Sequence, residues 1–216
     1  MCFSPVASFA AGVALSTIGV ATLKKAKSPH EIPFAAVPLL FGLQQIIEGF
    51  VWLSFGWALP AQHIFAVVYS IFALCVWPIF LPIAILLLEN NVLRQKILMV
   101  VSLAGIGVGS FLLYRIFLYP PTAFILNKCI QYSIVTPYVE LLWAAYVLVV
   151  VGSGAVSSKK TVQVFGIVLL GSLLFTLYQY KENAISVWCF FSALLSAVVY
   201  WHFSRRSGKH AFASKK

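Results

Sequence analysis

The chain has 216 residues, 62% hydrophobic and 9% charged, with a net charge of +10 and a mean hydropathy of +0.97. Soluble globular domains carry about a quarter charged residues, so this composition excludes one and indicates an integral membrane protein. The cations fall in short breaks between apolar runs, which makes them a matter of membrane topology and anionic lipid rather than of nucleic acid.

A spanning helix needs about 20 predominantly apolar residues, and seven segments meet that requirement. The first, Pro5 to Leu23, begins almost at Met1 with no basic stretch ahead of it, which predicts a permanent span and not a cleavable signal. The second, Pro33 to Phe55, contains Gln44, Gln45, Glu48 and Trp52. A carboxylate at membrane depth is costly, so Glu48 marks a candidate functional site. Gln44, Glu48 and Trp52 are four apart and share one helix face. The third, His63 to Leu88, brings Tyr69, Ser70 and Cys75; its Trp77-Pro78 and Pro82 hint at an interrupted helix.

The fourth segment, Lys96 to Leu118, contributes Ser110, Tyr114 and Arg115 and is broken by Pro120-Pro121. Beyond it, Phe124 to Tyr132 can fold back as a small hairpin around Asn127-Lys128. The fifth, Pro137 to Val156, enters with Tyr138 and Glu140; the sixth, Val162 to Tyr180, ends in Tyr178-Gln179-Tyr180. The seventh, Ala184 to Phe203, opens with Ser186, Trp188 and Cys189. The connections are short. The expected architecture is therefore an all-α membrane protein, with one seven-helix transmembrane domain over 1–204 and a basic, disordered cytoplasmic tail over 205–216.

Charge orients the bundle. With the amino terminus outside, the cytoplasmic side holds Lys24, Lys25, Lys27, Arg94, Lys96, Lys159, Lys160 and the tail cations Arg205, Arg206, Lys209, Lys215 and Lys216, which is 12 of 15. Only Arg115, Lys128 and Lys181 remain outside. The positive-inside rule then predicts the amino terminus outside, the carboxyl terminus in the cytoplasm and an odd number of spans. Sorting by depth places most intramembrane polar groups in the outer half. A polar pocket open to the outside is expected, formed by Gln44, Gln45, Glu48, Trp52, Tyr69, Tyr114, Arg115, Glu140, Tyr178 and Trp188.

Each of these residues also has an ordinary structural role open to it. Glu48 can be hydrogen-bonded glue between helices, Arg115 can snorkel to the interface, and aromatic residues at helix ends form belts. The four cysteines lack the paired spacing of a zinc site, and no metal or cofactor is expected. Cys2, Cys129 and Cys189 share the outer side, where a Cys2–Cys189 disulfide or a reactive Cys2 thiol is chemically open, while ordinary buried thiols are the expected state. A retinal pigment is excluded, because the last helix has no lysine for a Schiff base. The Pro-Gln pair of sweet-type sugar transporters is missing. A zinc-dependent ceramidase or adiponectin-receptor-like hydrolase is disfavoured, since the chain has no Asp and no His in the outer half of the seventh helix.

The motifs Met1-Cys2-Phe3-Ser4, Ser28-Pro29-x-Glu31-x-Pro33-Phe34, Gln44-Gln45-x-x-Glu48-Gly49-x-x-Trp52, Trp77-Pro78 and Ile185 to Phe191 together resemble an uncharacterised family of small bacterial seven-helix membrane proteins. The resemblance spans all seven helices. It implies the fold and a multi-pass place in the bacterial inner membrane, and it brings no activity with it.

Two function classes follow. In the first, the pocket around Glu48 binds a small molecule, lipid or ion from the outer side for transport or sensing, with membrane lipids as partners and a homo-oligomer open to the chain. In the second, an intramembrane hydrolase acts on lipid, with Glu48 or Glu140 as base and Cys2 or Ser186 as nucleophile. A structural or assembly protein is the third reading.

Overall fold

The computed structural model describes residues 4–57, 59–196 and 198–204. Seven helices are long and apolar enough to cross a membrane: α1 (Pro5–Leu23), α2 (Pro29–Ser54), α3 (Ala61–Leu88), α4 (Val92–Leu118), α5 (Val139–Val156), α6 (Lys160–Gln179) and α7 (Lys181–Ser204). Their bounds lie within a few residues of the apolar runs in the sequence. The expected tail, 205–216, and Cys2 lie outside the described residues.

Local signals start and stop the helices. Ser4 caps α1, its hydroxyl accepting from the Ala7 N–H at 3.3 Å, and Pro5 takes the first helical position, where no N–H is needed. Asn91 caps α4 in the same way, accepting from the Arg94 N–H at 3.1 Å.

The helices pack in chain order, each against the next, and α7 closes back on α2. α2 is the most enclosed, with 61% of its apolar window buried against 28% for α1 and α4. It therefore forms the interior of the bundle, and its polar residues face protein rather than lipid. α1 and α2 approach closely at Gly12 and Gly42. A Cβ on Gly42 would lie 2.6 Å from the Ser16 backbone nitrogen and 3.0 Å from the Gly12 carbonyl oxygen. Only the missing side chains let these backbones touch, as is common between helices in lipid.

α3 is irregular. Phe72–Val76 is a π segment, followed at once by Trp77 and Pro78. In an i to i+5 register the Ala73 carbonyl looks to residue 78 for its donor, and proline has none. The hydroxyl of Tyr146 on α5 supplies it instead, donating to the Ala73 oxygen at 2.6 Å.

Between α4 and α5 the chain forms the hairpin foreseen in the sequence. β1 (Thr122–Leu126) pairs antiparallel with β2 (Cys129–Ser133), Ala123 opposite Tyr132 and Leu126 opposite Cys129. Its two-residue turn places Asn127 and Lys128 at φ 51° and 61°, the left-handed conformation of a type I′ turn. Two side-chain amides tie it down: Gln62 of α3 donates to the Ala123 carbonyl at 2.9 Å, and Asn183 of α7 donates to that of Leu126 at 3.3 Å.

The opposite end of the bundle is closed by Glu89. This buried carboxylate follows α3 and accepts from the Asn90 and Asn91 N–H groups at 2.9 and 3.0 Å. It also accepts from the N–H and hydroxyl of Ser158, each at 2.6 Å. Arg94 adds bonds to the Val156 and Ser157 carbonyls at 3.0 and 2.6 Å. The α3–α4 and α5–α6 links are thereby clasped together.

Candidate functional site

Gln44, Gln45 and Glu48 all point inward from α2 and are completely buried. Phe41, one turn before Gln45, stacks on Trp77 of α3 with ring centroids 3.8 Å apart. That stack aims the indole N–H at Gln44, whose Oε1 accepts it at 2.7 Å. The hydroxyl of Ser186, on the first turns of α7, donates to Glu48 Oε1. Gln45 and the hydroxyl of Tyr69 also interact with the Glu48 carboxyl, and Tyr69 and Gln44 interact with the Cys189 thiol. The Tyr69 hydroxyl lies outside aligned hydrogen-bond geometry, as does Gln44 Nε2.

The hairpin covers this cluster. Tyr132 of β2 is buried and stacks on Tyr69, centroids 4.6 Å apart and planes 11° from parallel. The polar core thus draws on α2, α3, α7 and the hairpin.

A cavity of about 840 Å³ lies on the other side of that wall, between α5, α6 and α7. Tyr132 and Trp188 line it, facing leucines and valines of α5 and α6 such as Val147, Leu148, Leu170 and Leu174. Its three charged residues are Glu140, Lys181 and Glu182, all at the hairpin end. Trp188 is fixed in the wall by an N–H bond to the Leu169 carbonyl at 3.2 Å and by an edge-on contact with Tyr146.

The ten residues expected to share one pocket are therefore divided. Gln44, Gln45, Glu48 and Tyr69 form the buried cluster; Glu140 and Trp188 belong to the cavity. Trp52 is half-buried and edges against Phe55 at 6.1 Å. Tyr114 and Tyr178 are 59% and 84% exposed on outer helix faces. Arg115 donates to the Val135 carbonyl at 3.1 Å and sits over the Tyr119 ring. The reason is rotational: depth follows from position along a helix, whereas the direction a side chain faces depends on packing that hydropathy does not record. Cys189 carries a free, buried thiol, and its anticipated partner Cys2 lies outside the described residues. Among the described residues no group of three His, Cys, Asp or Glu side chains converges as a metal site.

The sequence reading missed Tyr132, Trp77 as the partner of Gln44, and Glu89. Tyr132 had one available signal, since strand alternation through β2 puts Ile130 and Tyr132 on the same face.

A family model matches residues 1–214, and its description is a family of unknown function, DUF6629. The chain belongs to that family. No curated protein and no solved structure matches it significantly. Membership of DUF6629 thus covers nearly the whole chain and brings no assigned chemistry.

Proposed function

We propose that this multi-pass membrane protein binds a lipid or other amphiphilic small molecule in the α5–α7 cavity, for transport or sensing, and that the Glu48 cluster responds to occupancy. The observation that carries the reading is the shared wall. Tyr132 and Trp188 line the cavity, while Tyr132 stacks on Tyr69 and Trp188 adjoins Cys189 in the polar core. The volume lies within the roughly 300–1,000 Å³ typical of small-molecule sites. The positive-inside distribution supports an orientation with the hairpin, and so the polar end of the cavity, outside.

The test is thermal unfolding of the purified protein in detergent, with and without added phospholipid. Saturating ligand is expected to raise the wild-type melting temperature by roughly 5 °C or more. Ala144→Trp, which fills the cavity from an exposed lining position, is expected to abolish the rise, and Glu48→Gln to change its size. An equal rise in wild type and Ala144→Trp would refute the cavity as the site.

The hydrolase reading draws on the Ser186–Glu48 bond, since a nucleophile must sit within reach of its base. Both residues are completely buried, which favours a positioning role for Ser186. Ser186→Ala is expected to destabilise the fold by about 1–3 kcal/mol. Loss of a lipid-cleaving activity without loss of stability would instead support catalysis.

A further inference from the structure

We infer that the occupant of the α5–α7 cavity is a membrane phospholipid whose headgroup ends in a primary amine. This rests on the preceding reading of the cavity as a binding site and adds the identity of what it binds.

Three features converge on that class. The walls are almost wholly apolar, and two lining residues, Leu148 and Leu174, are 72% and 59% exposed on the lipid-facing side. The cavity therefore opens along the bundle's apolar flank, and an acyl chain can enter sideways from the bilayer without crossing water. Burial of such a chain contributes about 0.8 kcal/mol per methylene, so affinity comes from the chain and discrimination must come from elsewhere.

Discrimination comes from the hairpin end, where the only charged lining residues are gathered. Glu140 stands in the first turn of α5, and Lys181 and Glu182 lie in the opening turn of α7. All three are exposed, so their charges face an interface where headgroups lie. Two carboxylates and one ammonium complement a zwitterion, with lipid phosphate beside Lys181 and the lipid amine between Glu140 and Glu182. A primary ammonium donates charge-assisted hydrogen bonds to carboxylates. A quaternary choline has no N–H to donate, and a glycerol headgroup leaves the phosphate charge facing two acids.

The experiment is mass spectrometry of the full chain released from detergent micelles doped equally with phosphatidylethanolamine, phosphatidylcholine and phosphatidylglycerol. One ethanolamine lipid is expected to stay bound, enriched roughly two- to five-fold over the others, the range an exposed ion pair supports. Glu140→Gln with Glu182→Gln should remove the enrichment while lipid remains bound. Ala144→Trp, or Leu148→Trp if the first variant does not fold, should remove the bound lipid altogether. Equal retention of the three lipids, or enrichment of the glycerol lipid, would overturn the headgroup inference and leave the cavity reading intact, provided the blocking variant still loses the lipid. No retained lipid, or retention unchanged by the blocking variants, would overturn both.

Discussion

Glu48 and Glu89 are both buried carboxylates, and their surroundings give them different work. Glu48 sits inside α2, completely buried among Ser186, Gln45 and Tyr69. Glu89 lies beyond the spans, at the clasped end. Burial opposes its ionisation, but the Ser158 hydroxyl and the N–H groups of Ser158, Asn91 and Asn90 outweigh that effect and bring its pKa from 4.5 down to about 2. Folding therefore favours the ionised form. The stabilisation is complete above pH 4.5 and is lost as pH falls from there through about 2. It amounts to something on the order of 1–3 kcal/mol, allowing for solvent screening at the bundle end. Acid unfolding of wild type against Glu89→Gln should show a slope between pH 5 and 2 in the first that is flattened in the second; parallel curves would exclude the clasp. Glu48 was legible in the sequence because an acid inside an apolar run stands out. Glu89 was not, because beside Asn90 and Asn91 it reads as an ordinary loop acid, and its Ser158 partner lies 69 positions away.

Among the elements, α3 is the one whose irregularity has a specific support. The sequence marked the place, since Trp77-Pro78 inside a span announces an interruption. It did not reveal that the interruption is a π turn, or that Tyr146 from another helix satisfies the carbonyl it frees. Removing that hydroxyl in Tyr146→Phe is expected to cost about 1–3 kcal/mol, the penalty for a buried acceptor left without a donor. Pro78→Ala restores an N–H at the position to which the Ala73 carbonyl is directed, so the cost of Tyr146→Phe should shrink in that background. A double-mutant cycle on unfolding in micelles measures this coupling directly, and strict additivity would count against the explanation. The hairpin was more fully legible: Asn127-Lys128 between two apolar stretches carries the turn in its own chemistry.

For the whole molecule, seven helices are long and apolar enough to cross a membrane, and an odd number of crossings predicts the two ends of the chain on opposite sides of it. Reporters fused to the carboxyl terminus and to the hairpin turn should therefore give opposite accessibility, with the turn outside under the positive-inside rule; the same accessibility at both would break the seven-span count. Span number and position were readable because hydropathy and length are properties of the chain itself. The separation of one expected pocket into a buried cluster and a neighbouring cavity was not, because it depends on how α2 and α5 to α7 are rotated about their axes. The stack of Tyr132 on Tyr69 joins those scales. A loop that stands outside the spans has a ring lodged against Tyr69 of the buried polar core, so the hairpin acts as a handle. A displacement at Asn127 and Lys128 is therefore expected to reach Tyr69 through the ring stack, and α3 and α7 through the Gln62 and Asn183 amides.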